Sequence, residues 1–121
     1  MPIDPHVAES LAISYGTEEY FGPYELLWGL KTHYPRSTES DRLEAGVAAL
    51  RSLLERGLII LHTCTTQVPC DSPAPTDLAL GMLDAPTFWL TPADHPAPPY
   101  FWLSSSPSGE RALASGEYSF V

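Results

Sequence analysis

Segment 38–56 constrains this chain more than any other. Leu43, Val47, Leu50 and Leu54 step by four, three and four, the spacing that lines apolar side chains along one face of an α-helix. Thr38-Glu39-Ser40-Asp41 resembles a capping box, with Asp41 in place of the usual Glu or Gln. Gly57 lies just past the last periodic residue, where a left-handed C-cap favours glycine. Gly46 sits inside the pattern and costs about 1 kcal/mol there relative to alanine, so two shorter helices meeting near Glu44–Val47 are an alternative to one long one. The spacing predicts a core of Leu43, Val47, Leu50 and Leu54 against Leu27, Trp28 and Ile60.

Elements on either side follow from local signals. Residues 5–15 read as a helix with Asp4 as cap, Pro5 in its first turn and Gly16 as stop. Residues 22–34 read as a second helix, started by Gly22-Pro23 and stopped by Pro35, with Tyr24, Leu27, Trp28, Lys31 and Tyr34 on one broad face that Leu30 extends. Leu58 to Cys64 is short, apolar and β-branched, hence a strand. A proline-rich loop covers 65–75, and Thr76-Asp77 caps a short helix through Leu83. Phe88-Trp89-Leu90 is expected to be extended. Loop 92–99 holds four prolines, Tyr100 to Leu103 is a second strand, and Pro107 opens a last helix to about Ser115. Tyr118 to Val121 should be extended or frayed.

These elements make an α+β, mainly helical single domain over 1–121, helical over 5–57, with a small β wing and a C-terminal helix over 58–121. The 44% apolar and 17% charged residues suit a packed core. The longest apolar run, Leu58-Ile59-Ile60-Leu61, is far below the roughly 20 residues of a membrane helix. Met1-Pro2-Ile3-Asp4 has no basic or apolar leader region, so no signal peptide is expected. Two cysteines without such a leader imply a reducing, cytoplasmic setting.

Charge is the most informative part of the composition. Fifteen acids against six bases give −9, which opposes non-specific binding to nucleic acid and to anionic membranes. Five of the six bases lie between Lys31 and Arg56. If a nucleic-acid surface exists, it belongs on the 38–56 helix at Arg42, Arg51 and Arg56. Arg and Glu alternating on a wet helix face explain the same pattern.

The order of helices, glycine, strand, loop and strand resembles the winged helix-turn-helix superfamily. The likeness rests on Glu25-Leu26-Leu27-Trp28, on Leu53-Leu54-Glu55-Arg56-Gly57-Leu58-Ile59, and on Tyr100-Phe101-Trp102-Leu103-Ser104 followed by Gly109-Glu110-Arg111-Ala112-Leu113. It covers roughly residues 22–115. It implies a domain of three to five helices with a small antiparallel wing. DNA binding does not follow from it, because segment 35–56 has no net charge and the wing loop carries Asp71, Asp77, Asp84 and Asp94 where phosphate-binding bases would stand.

No catalytic constellation stands out. His62, Cys64 and Cys70 follow H-x-C-x5-C, which matches no zinc spacing. Free thiols are expected, with a Cys64–Cys70 disulfide or a metal site as alternatives. Ser104, Ser105 and Ser106 lie outside any G-x-S-x-G and read as turn serines. No glycine loop for phosphate or cofactor occurs. The rings of Tyr100, Phe101 and Trp102 are consecutive, and strand side chains alternate, so they cannot all face one core. Either a protein partner, most simply a second copy, covers the outward rings, or loop 92–99 folds over them. The expected function is a small acidic protein-interaction module of immunity, antidote or regulatory type, contacting its partner through Tyr100, Phe101 and Trp102. A DNA-binding regulator is the second reading. A ligand binder using the aromatic cluster and His95 is the third.

Overall fold

The structure, a computed structural model, describes residues 3–95 and 97–118. It has five α-helices and a two-stranded antiparallel sheet, an α+β, mainly helical domain. Helix α1 spans Pro5–Glu18, with Asp4 Oδ1 accepting from the His6 N–H at 2.9 Å. It runs through Gly16, the expected stop. That glycine lies against the next layer's backbone, where a Cβ would fall 2.7 Å from the Ser105 nitrogen. Helix α2 spans Pro23–His33, and Glu25 Oε2 accepts from the Gly22 N–H at its start. Its buried side is Pro23, Leu26, Gly29 and Leu30; of the expected face only Leu30 is fully buried, and Trp28 and Lys31 are exposed.

Helix α3 is one unbroken helix over Glu39–Glu55. Thr38 and Asp41 exchange the two capping-box hydrogen bonds at 3.0 and 3.1 Å, and Gly57 takes the left-handed conformation at φ 69°. The buried face is Gly46, Ala49, Leu50, Leu53 and Leu54. This turns the predicted stripe by roughly 60°, at about 100° per residue. Leu50 and Leu54 stay inside, Val47 is half-buried and Leu43 is 41% exposed. The reason is close packing at the small residues: a Cβ on Gly46 would sit 3.1 Å from the Trp89 ring. Trp28 and Ile60, both expected in this core, lie outside it.

Strands β1, Ile59–Cys64, and β2, Tyr100–Ser105, pair from Ile59 with Ser105 to Cys64 with Tyr100. Both edges are covered within the chain. Phe21 bridges to Leu103 on the β2 edge through bonds of 2.9 and 2.7 Å. On the β1 edge, the Thr63 N–H donates to the Ser72 carbonyl and the Ala74 N–H to the Leu61 carbonyl. Between the strands lie α4, Thr76–Met82, and a 3-10 turn over Pro86–Trp89. The turn replaces the extended segment expected at 88–90. Pro86 starts it, and the Trp89 indole N–H donates to the Leu83 carbonyl at 2.9 Å, drawing the ring inward. Helix α5, Pro107–Ala114, is capped by Ser106. One cluster joins Ile13, Phe21, Leu26, Leu50, Leu61, Phe88 and Leu103. Of the expected tail, Ser119, Phe120 and Val121 lie outside the described residues. Cys64 and Cys70 form a disulfide, not the expected free thiols.

Candidate functional site

The aromatic strand is shielded by its own chain. Phe101 packs on Phe88 at 5.0 Å between ring centres, and the His95 ring stands 5.3 Å from Tyr100 and 5.8 Å from Phe101. Trp102, on the opposite face of the strand, is only 8% exposed. From loop 92–99 it is His95 that meets Tyr100 and Phe101. Pro98 and Pro99 are exposed. Tyr100 and Phe101 remain half-buried, and both edges of the sheet are paired within the chain.

The three arginines of the nucleic-acid reading are dispersed. Arg42 donates to the Ser37 carbonyl and hydroxyl. Arg51 pairs with Asp84 at 3.4 Å. Arg56 bonds the Tyr118 hydroxyl and reaches Glu117 at 2.8 Å and Glu9 at 3.5 Å. Nine residues of helix separate Arg42 from Arg51, which puts them roughly 180° apart. They cannot grip one phosphate backbone together.

A Ser-His-Asp arrangement occurs on the outer face of the sheet. His62 is buried and its Nε2 lies 2.9 Å from Ser104 Oγ. Nδ1 lies 3.7 Å from Asp71 Oδ1. The bond to Nδ1 decides its chemistry: the Ser72 backbone N–H points at it from 3.2 Å. A backbone N–H only donates, so Nδ1 accepts and the ring proton sits on Nε2, given to Ser104. A base for Ser104 needs the opposite tautomer. Burial lowers the imidazole pKa and Asp71 raises it less, so the ring is held neutral. The trio ties strands to loop 71–74. Sequence spacing could not show this grouping, because 42 residues separate its serine from its histidine. The disulfide removes Cys64 and Cys70 as thiolate ligands, and no group of three His, Cys, Asp or Glu suited to a metal gathers among the described residues.

An exposed apolar surface lies on α2. Leu26 and Leu30 point inward, and Trp28, roughly 200° from each around the helix, points out with 58% of its surface exposed. Tyr24 meets its ring edge-on at 4.8 Å. On one side of Trp28 a groove of about 400 Å³ runs to Leu43 and Trp89 and to Leu90, which is 37% exposed. On the other side a cleft of about 330 Å³ separates α1 from α2, lined by Tyr15, Tyr20, Glu18, Glu19 and Glu25 and by no Lys or Arg. Gly29 makes room for Tyr15, whose hydroxyl stands where a side chain would begin. Burial and the charges of Glu25 and Glu18 push the Tyr15 phenol above its ordinary pKa. Burial and Glu25 do the same to Tyr24. Burial is the larger cause of both shifts, and the carboxylates add to it in the same direction. The sequence reading missed this site because it placed Trp28 in the core.

No family profile, curated protein or solved structure matches the chain. Among the described residues no helix is long and apolar enough to cross a membrane.

Proposed function

We propose that this protein is a small acidic, non-enzymatic interaction module of immunity, antidote or regulatory type, and that it meets its protein partner through the surface around Trp28. One observation carries the reading. Trp28, Leu43 and Leu90 are each exposed and line one groove. Single exposed apolar residues are ordinary, whereas neighbouring ones rimmed by polar groups favour an interaction surface, and tryptophan is among the residues enriched at binding hot spots. The tautomer of His62 supports the absence of hydrolytic chemistry at Ser104. Affinity capture with the wild-type chain and with Trp28→Ala tests the reading. A partner held by the first and lost by the second supports it; equal retention overturns it.

The winged-helix likeness is part of the same proposal. The sequence of two helices, a strand, a long connection, a second strand and a helix over 23–114 supports it. The DNA-binding alternative is weakened by the dispersal of Arg42, Arg51 and Arg56. Titration of duplex DNA should show no saturable binding at physiological salt, and salt-steep binding lost in Arg51→Glu would restore it. The homodimer expected from an uncovered strand loses its motive, since Phe21 and Ser72–Ala74 cover both edges. The Cys64–Cys70 disulfide counts against the cytoplasmic setting expected from the sequence, because cytoplasmic thiols are kept reduced. Thiol counting on protein quenched in cells tests this: a blocked pair supports an oxidising compartment, and two free thiols restore the cytoplasmic setting.

A further inference from the structure

We propose that the partner presents a basic amphipathic segment, seating an apolar side chain in the Trp28–Leu43–Leu90 groove and a Lys or Arg in the adjoining cleft between α1 and α2. The inference rests on the interaction reading and adds the chemistry of what is bound.

Trp28 lines both the groove and the cleft and forms the ridge between them, so one ligand crossing it would touch both. The two halves differ in character. The groove is apolar at Leu27, Leu43, Trp89 and Leu90, and its charges balance, with Lys31 and Arg42 against Glu39 and Asp94. It asks for an apolar group. The cleft has three carboxylates and no base. Glu25 is already turned inward by its bond from the Gly22 N–H at 2.6 Å. Glu18 and Glu19 are exposed at its mouth. Tyr15, Tyr20 and Trp28 add aromatic faces and edges, and a cation over such a face is attracted by the ring's negative face. An anion or a carboxylate-rich peptide would meet repulsion here and from the net charge of −9. The same field turns away nucleic acid and anionic membranes. A second copy of this chain brings six bases to fifteen acids and is a poor fit to the cleft.

A displayed library of random peptides, panned on the full chain, tests the proposal. Enriched peptides should carry a large apolar residue together with Lys or Arg. Trp28→Ala should weaken a selected peptide by about thirtyfold or more, a hot-spot effect. Glu18→Gln combined with Glu19→Gln should weaken it by about tenfold and flatten its dependence on salt. All three side chains are exposed, and circular dichroism confirms that the variants fold. Enrichment of neutral or acidic peptides, or full binding by the double glutamine variant, overturns the cationic partner while a Trp28→Ala loss still upholds the interaction surface. Binding indifferent to Trp28→Ala overturns both, as does a library that yields no binder. A dimer that dissociates on Trp28→Ala, seen by sedimentation, assigns the groove to a second copy and overturns the basic partner.

Discussion

Replacing Gly16 with alanine should destabilise the fold, against the ordinary preference of helices. In the interior of a helix, glycine to alanine gains about 0.5–1 kcal/mol. At Gly16 the added Cβ would stand 2.7 Å from the Ser105 nitrogen, 2.8 Å from Ser105 Oγ and 3.0 Å from the Ser104 carbonyl carbon. Two of these three are backbone atoms of β2 and cannot swing aside. Reaching ordinary contact needs α1 to retreat by roughly 0.7 Å, a forced overpacking that costs about 1–3 kcal/mol. The retreat also stretches the buried bond from Ser105 Oγ to the Ile13 carbonyl, now 2.8 Å. An unsatisfied buried group costs about 1–3 kcal/mol. The net expectation is a loss of about 2–4 kcal/mol, or about 10 °C in Tm for a chain of this size. Gly81, in α4, has open space around its missing Cβ, and Gly81→Ala should gain up to about 1 kcal/mol. Urea and thermal unfolding of both variants measure the contrast. Adding Ser105→Ala to Gly16→Ala should not restore stability, because the Ser105 nitrogen remains. Equal or greater stability for Gly16→Ala would refute the close approach of α1 to β2.

Other expectations concern the helix phase, the disulfide and the buried histidine. Leu50→Ala should cost about 2–5 kcal/mol and Leu43→Ala less than about 1 kcal/mol; similar losses by urea titration would restore the phase read from the sequence. Reducing Cys64–Cys70 should remove about 2 kcal/mol, the chain entropy of so short a loop, and Tm with and without dithiothreitol measures it. Burial lowers the pKa of His62 in the fold, so as pH falls below about 6.5 the unfolded chain takes up the proton first. Stability should be level in this respect above that pH and fall below it; His62→Asn should lose that part of the slope, and an unchanged slope would refute a buried neutral ring.

Much of the helical architecture was legible, because caps and stops act locally. Thr38 and Asp41 cap α3, Pro23 opens α2 and Gly57 closes α3, each within a few residues of its partner. What misled the reading was glycine at contacts between elements. Gly16 permits backbone contact with β2, and Gly46 admits the Trp89 ring. Neither the stop expected at Gly16 nor the break considered at Gly46 appears, because both glycines are set by partners distant in sequence. The same blindness applied to chemistry. His62 and Ser104 meet through strand pairing, and the apolar pattern gave Trp28 to the core although Leu26 and Leu30 already fill that side of α2. The cover of Phe101 by His95 depends on the course of a loop that no periodicity specifies.

The exposure of Trp28 follows from helix geometry and not from loose packing. Leu26 and Leu30 are fully buried, and Trp28 stands about 200° from each. No rotation of α2 covers the tryptophan without drawing two leucines into water. Fully exposing a leucine costs about 1.5–3 kcal/mol, so that exchange loses more than it gains. The neighbours of Trp28 are fixed with similar firmness. Gly46 lets α3 lie close to the Trp89 ring, and Leu43, near the helix start, lines the groove. Leu90, which ends the turn over Pro86–Trp89, lines the same groove. Core packing thus leaves an exposed ring that the fold cannot reclaim, and its burial is left for a partner to gain.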